Sequence, residues 1–317
     1  MNPSFPPKGL IIALITPLNE RGGIHWESLR EMIGRALPFC DALMVAEGVI
    51  GEGLSLPNSL RLELLQGSAE RVAGEKPLFL CPTAATAEET VSNIRTLGKA
   101  LKDYPAQDSL FWVDIPLWYH SNRKLPQLYR EWKESSPYPI LLQNHPRLIA
   151  KLNRSLKRTN IRTSVLKRLV ENEQVVGVIQ AGDLKRTIHY QRAVRARRDF
   201  RFYDGEERNF LNSPSVSGVV SVGANFLLAE WSEAVTASLK MSEDPARNLL
   251  LLKQSRKLRE LSQLLEKSPA LRLKSALHRL GWIPERKVLD PTQESSSSKA
   301  EELAGFLRAN FSLQNPP

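Results

Sequence analysis

Apolar residues recur along this chain in two alternating patterns. Short, nearly continuous apolar runs rich in β-branched residues lie at 9–17, 41–45, 77–81, 109–115, 139–142, 175–179, 200–203 and 217–222. Runs of this kind suit strands buried on both faces, as in a parallel sheet. Between them, apolar positions return every three or four residues, the period of an amphipathic helix. The helical segments are 26–37, 57–73, 86–101, 124–134, 148–170 and 183–197, and the fifth reads as one long helix. Thr86 followed by Glu89 is a capping-box pattern at a helix start. Strand and helix alternating at this pitch argue for parallel βα units. Eight of them predict an α/β fold, a closed (β/α)8 TIM barrel over residues 1–224. Past Ala224 the strand pattern stops. Segments 227–239, 245–266 and 270–280 read as helices, the serine run 295–298 as a polar link and 299–310 as a last helix. Residues 225–317 are therefore expected to form an all-helical C-terminal extension.

Composition narrows the class. The chain has 317 residues, 42% of them hydrophobic and 25% charged, which is ordinary for a soluble globular protein. No apolar run approaches the ~20 residues of a membrane span. The first residues lack the basic-then-apolar pattern of a secretory leader. Cys40 and Cys81 support no disulfide framework, so a cytoplasmic location is expected. The net charge is +10, with basic clusters at 147–168, 185–201 and 253–279. Lys and Arg there alternate with Leu, Ile and Val at helical spacing, so they read as solvated helix faces. No nucleic-acid-binding signature accompanies them, and nucleic acid is a disfavoured partner. No phosphate-binding glycine loop points to a nucleotide cofactor. The histidines show no ligand spacing, so neither a metal nor a cofactor is expected.

Several short stretches, in order, carry a more specific signal. Residues 13–18 lead into Gly22-Gly23-Ile24. Gly48-Val49-Ile50-Gly51-Glu52 follows the second strand, Asp114-Ile115-Pro116-Leu117-Trp118-Tyr119 ends the fourth, and Gln143-Asn144-His145-Pro146 ends the fifth. Val176-Gly177-Val178-Ile179-Gln180-Ala181-Gly182-Asp183 is the sixth. Asp204-Gly205-Glu206-Glu207 follows the seventh, and 218–225 is a Gly-Val-Val-Ser run ending in Ala-Asn. Taken together this series resembles the dihydrodipicolinate synthase / N-acetylneuraminate lyase family from Gly9 to the last helix. The resemblance implies a TIM barrel, a homodimer or homotetramer, and lyase chemistry through a lysine Schiff base to a keto acid.

The departures fall on that chemistry. Ile179 stands where the resemblance places the Schiff-base lysine. Gln143 stands at the tyrosine that moves protons beside it. Val49 and Ile50 stand at two threonines whose hydroxyls bind the keto-acid carboxylate and extend the relay. Only Tyr119 keeps a phenol. The arginine expected shortly after Pro146 is displaced, with Arg147 next to the proline. An imine mechanism needs an amine beside an acid–base relay, and glutamine cannot act as a general acid near neutral pH. The expectation is a divergent family member without Schiff-base activity. It would bind a small acid or sugar-like ligand at a barrel mouth lined by Gly48, Val49, Ile50, Tyr119, Gln143, Ile179 and Gly205, or act as a scaffold. Two alternatives stay open: a lyase with a relocated or non-imine mechanism using Glu47, Glu52 or His145 as acid or base, and an anion- or nucleic-acid-binding protein. Lys185, on the helix after the sixth strand, reads as a surface residue. The sixth strand should carry Ile179 into the barrel at its C-terminal end, with Val178 facing the helices. The leucines at 249–252, 258, 261, 264 and 265 should pack on the barrel and partly on a second subunit.

Overall fold

The computed structural model of the chain describes residues 5–132, 135, 137–153, 158–240, 245–265, 270–290 and 297–310. Eight strands pair in sequence order, all parallel, and β8 pairs with β1 to close the barrel. They are β1 Gly9–Ala13, β2 Ala42–Val45, β3 Leu78–Leu80, β4 Leu110–Asp114, β5 Ile140–Asn144, β6 Val175–Gln180, β7 Arg201–Asp204 and β8 Gly218–Ser221. Closure leaves no edge, and nearly every strand residue is buried, which accounts for the continuous apolar runs. The helices of the barrel are α1 Trp26–Ala36, α2 Asn58–Val72, α3 Ala87–Ala100, α4 Pro116–Tyr119, α5 Leu125–Glu131, α6 Pro146–Ala150, α7 Thr163–Leu169, α8 Leu184–Val194 and α9 Glu207–Asn212. Thr86 caps α3, its hydroxyl accepting from Glu89 N at 3.1 Å.

The segment 148–170 is not one long helix. It holds α6 and α7, and the described residues between them, 151–153 and 158–162, are not helical. Asn153 takes a left-handed φ of 44°, and the amides of Ile161 and Arg162 are engaged by Asn144 and Asn122 side chains at 2.9 and 2.7 Å. Side-chain acceptors that satisfy backbone amides in this way compete directly with helical hydrogen bonds. The strand end at Pro116–Tyr119 is a helical turn, α4, and part of the expected helix 124–134 lies outside the described residues.

Stepping the register around the barrel puts Ala13, Met44, Phe79, Val113, Gln143, Ile179 and Tyr203 on one face of the sheet. This is the inner face. Phe79 and Tyr203 come from opposite sides of the barrel, and their rings meet edge-on with centroids 6.0 Å apart. A register shift between Ile140 and Leu141 against β6 sets the alignment that pairs Gln143 with Ile179. Ile179 thus projects inward near the C-terminal end of β6, fully buried, and Val178 faces the helical layer.

The C-terminal helices are α10 Leu228–Leu239, α11 Pro245–Leu265, α12 Ala270–Arg279 and α13 Ser297–Asn310. Leu258, Leu261 and Leu265 are buried against α9, α10 and α13, whereas the side chains of 249–252 lie outside the described residues. Two carboxylates from barrel loops hold these helices. Glu52, in the loop after β2, forms a fully buried ion pair with Lys274 of α12 and accepts from Leu289 N at 2.7 Å. The Lys274 ammonium also donates to Lys287 O at 2.7 Å. Glu207, at the start of α9, accepts from Val222 N at 2.8 Å, Gly223 N at 2.6 Å, Ser221 Oγ at 2.5 Å and, from α11, Ser262 Oγ at 3.1 Å. No helix among the described residues is long and apolar enough to cross a membrane.

Two stability predictions arise here. Replacing Lys274 by Met leaves Glu52 buried without its cation, so urea unfolding of this variant should show a loss of about 3–5 kcal/mol. An unchanged midpoint would show that the pair contributes nothing. The second concerns Asp204, whose carboxylate accepts from Ser215 N at 2.9 Å and is pushed up by burial to about 6. Between the ordinary Asp value near 4 and 6, the folded state holds a proton that the unfolded state has lost. Stability therefore falls as pH rises through that window, and the cost is complete above it. Asp204→Asn keeps the acceptor and removes the charge, so it should raise stability on the order of 2 kcal/mol at pH 8 and hardly at all at pH 4. A gain of equal size at both pH values would assign the effect to packing.

Candidate functional site

The site expected from the sequence lies at the C-terminal mouth of the barrel, where βα loops converge. Its centre is the loop after β2. That loop is wound tightly on itself: Ala46 and Glu52 have left-handed φ values of 56° and 53°, and Gly53 N donates to Glu47 O at 2.9 Å. A Cβ on Gly53 would lie 1.8 Å from Ala46 O, so only glycine fits there. Inside this turn the Glu47 side chain folds back. Its Oε2 accepts from Val49 N at 2.7 Å and Ile50 N at 2.9 Å, and its Oε1 accepts from Gln143 Nε2 at 3.0 Å. Glu47 is 6% exposed, Gln143 4% and Ile179 0%. Three donors therefore surround one carboxylate, which is how a buried carboxylate is tolerated. The second oxygen of the pair, Gln143 Oε1, has no hydrogen-bond partner among the described residues.

The other sequence candidates separate into two groups. Val49, Ile50, Gln143 and Glu47 are joined by these hydrogen bonds, and Gln143 is the register partner of Ile179. Gly205 is beside them, since a Cβ there would lie 3.1 Å from Ile179 Cγ2. Gly48 packs under the loop, where a Cβ would meet Ile115 Cδ1 at 2.7 Å. His145 caps α6, its Nδ1 accepting from Leu148 N at 3.3 Å. Burial pushes the imidazole down from its usual value, against an upward pull from the nearby Glu47 carboxylate. Tyr119 and Glu52 are committed elsewhere. The Tyr119 hydroxyl donates to Asp114 Oδ2 at 2.7 Å, and Glu52 is held by Lys274. Arg147, in α6, forms an ion pair with Glu206, linking that helix to the loop after β7. Lys185 is exposed on α8, and among the described residues none of the eight strands contains a lysine.

Sequence reasoning missed the group that holds the end of β4. Asp114 is fully buried and takes hydrogen bonds from Thr83 at 2.7 Å, Tyr119 at 2.7 Å and Tyr129 at 2.5 Å. Burial raises the Asp114 carboxyl despite these donors, and burial beside Asp114 raises both phenols, so neither tyrosine is a ready proton source. The available signal was an Asp at the end of an otherwise apolar strand, which predicts a buried and satisfied carboxylate. Its partners at 83 and 129 carry no such mark. Cys81, directly after β3, is also buried, and its thiol is pushed well up by burial and then by the Glu47 and Asp114 carboxylates. It stays protonated and is a poor nucleophile. Asn144, next to Gln143, faces outward and bonds to Gln180 at 2.8 Å and Asn160 at 2.9 Å, tying β5 to β6 and to the loop before α7.

The chemical potential of this mouth is narrow. Around Ile179 it brings together one buried carboxylate, Glu47, one amide with a free acceptor and aliphatic walls at Val49, Ile50 and Ile179, with no lysine on the strands among the described residues.

Comparison with known proteins places the whole chain. The model of the dihydrodipicolinate synthetase family matches residues 6–310. Among curated proteins, the 4-hydroxy-tetrahydrodipicolinate synthase of Dechloromonas aromatica is 26% identical over 312 residues, covering 96% of this chain and 98% of that protein. The synthase of Neisseria gonorrhoeae is 26% identical over 249 residues, 76% of this chain and 79% of its own. Among solved structures, the dihydrodipicolinate synthase of Thermotoga maritima superposes with a TM-score of 0.78 at 22% identity, over 96% of this chain and 98% of that one, a likeness of fold. The closed eight-stranded barrel, the order of its loops and a family match over nearly all of its length make this chain a member of the dihydrodipicolinate synthetase family.

Proposed function

We propose that this family member carries out no Schiff-base chemistry, and that its barrel mouth, where its own Glu47 carboxylate occupies the amides of residues 49 and 50, holds a small hydroxylated ligand without a covalent bond. One observation carries the reading: Glu47 Oε2 sits on the amides of Val49 and Ile50 at 2.7 and 2.9 Å. By the resemblance, residues 49 and 50 are where the family's threonines receive the keto-acid carboxylate. Here a tethered carboxylate takes the donors at those positions, and a second carboxylate would find no donor and a like group instead. Ile179 and Gln143 support the same conclusion, since neither is a nucleophile or a proton source. The unpartnered Gln143 Oε1 favours a donor such as a sugar-like hydroxyl over an acid.

A non-imine enzyme is the second reading. It draws on a buried carboxylate, Glu47, within electrostatic reach of the His145 imidazole. The oligomer implied by the resemblance belongs to this proposal too. Leu184 and Ile188, exposed one turn apart on α8, suit contact with a second copy.

Borohydride reduction in the presence of pyruvate, and separately of N-acetylneuraminate, followed by intact mass, tests the absence of an imine. No adduct is expected, and a stoichiometric adduct on any lysine would overturn the proposal. The self-filled subsite has its own test. Glu47→Ala should lose about 1–3 kcal/mol of stability and gain saturable pyruvate binding in ligand-observed NMR, with pyruvate raising its melting temperature. Saturable pyruvate binding by the unaltered protein would sink the idea.

A further inference from the structure

A cavity lies between the loop that precedes α7 and the first turn of α8. It has a volume of about 390 Å³ and is lined by Arg158, Thr159, Asn160, Arg162, Thr163 and Arg186, with the Ile161 backbone between them. Among the described residues no carboxylate lines it. Among the described residues, none of the three guanidinium groups lies within ion-pair distance of an Asp or Glu. Asp183 is near, but its carboxylate is turned to the Arg186 backbone amide, which donates to it at 2.7 Å as the cap of α8. Three like charges gathered without a counter-charge repel one another, an arrangement that costs stability unless something else compensates.

The loop that carries two of these arginines is held with unusual care. Asn122 Oδ1 accepts from Arg162 N at 2.7 Å, and Asn122 Nδ2 donates to Asn160 O at 3.0 Å. Asn144 Oδ1 accepts from Ile161 N at 2.9 Å, and the Tyr190 hydroxyl of α8 donates to Ile161 O. Arg186 is placed from the other wall, 3.5 Å from Thr163 Oγ1 and 5.9 Å from the Tyr190 ring centre. Polar side chains from β5, α8 and the loop after α4 thus fix a short stretch of backbone whose outward product is a set of guanidinium and hydroxyl groups around one space. Planar guanidinium forks match the oxygens of phosphate, and rigid placement lowers the entropic cost of binding.

We propose that this cavity is a binding site for a small multiply charged oxyanion of the phosphate-ester or diphosphate class, separate from the barrel mouth. The three arginines supply the charge and Thr159 and Thr163 the neutral donors. The volume exceeds that of a bare phosphate, so an organic group attached to the phosphate has room. This site does not depend on the chemistry proposed for the mouth, and the borohydride result leaves it unaffected.

Inorganic pyrophosphate is the probe, titrated calorimetrically at physiological ionic strength, with acetate and a short RNA in parallel. The unaltered protein should bind pyrophosphate saturably and acetate not at all. Arg158→Ala and Arg162→Ala should each weaken binding about ten-fold or more, while Lys185→Ala, on the exposed face of the same helix as Arg186, leaves it unchanged. No saturable binding, equal affinity in the Arg158→Ala/Arg162→Ala double variant, or an equal loss in Lys185→Ala would overturn the site. So would retention of the RNA without binding of pyrophosphate. If the alanine variants do not fold, Arg158→Lys with Arg162→Lys keeps the charge and removes the forks. Weaker binding by that protein supports the site, and undiminished binding overturns it.

Discussion

A carboxylate removed from water must be given donors, and in this barrel that requirement organises the mouth. Glu47 turns back on the amides of its own loop and on Gln143. Glu52 takes the ammonium of Lys274. Asp114 gathers three hydroxyls, and Glu207 gathers two backbone amides and two serines. Each acid stands at the end of a strand, in the loop that follows or at the start of the next helix, and each draws together segments distant in the chain. In a barrel of this kind the loops past the strand ends are the usual place for chemistry. Here much of the charge available there is already spent on holding the loops in shape.

The barrel carries aliphatic and amide side chains at Ile179 and Gln143 on its inner wall without any break in strand pairing at those two residues. The inner wall of the strands is set by register, and register tolerates any residue of suitable volume. Ile179 fits beside Gly205 because the glycine leaves room for its Cγ2, and Gln143 fits because Glu47 takes its amide. An aliphatic side chain at 179 and a carboxamide at 143 are therefore accommodated within β6 and β5. Family membership rests on the match over residues 6–310, and it does not by itself determine what the mouth does.

Much of the fold was legible in the sequence, because parallel strands and amphipathic helices are written in local periods. The inward direction of Ile179 followed from the alternation of a strand once β6 was recognised. The segment 148–170 defeated the same reasoning. Its apolar spacing is helical, but its course is decided by Asn122 and Asn144, remote side chains that claim its amides. The candidate site was legible in outline for a similar reason. Glu47, Gln143 and Ile179 were identified as individual positions, whereas their hydrogen bonds, the capture of Tyr119 by Asp114 and the capture of Glu52 by Lys274 are pairings between distant segments. Period and composition carry no record of which distant partner a polar group will find.

The bond between Glu52 and Lys274 spans 222 positions of the chain. At a ribosomal rate of roughly 5–20 residues per second, the lysine is made at least about ten seconds after the glutamate. Until then the loop after β2 lacks the cation that accompanies the burial of Glu52 in the finished fold. The last helices to emerge are then the ones that lock a loop made near the beginning. Completion of the mouth is a late event in the life of each molecule, governed by a residue that lies outside the barrel.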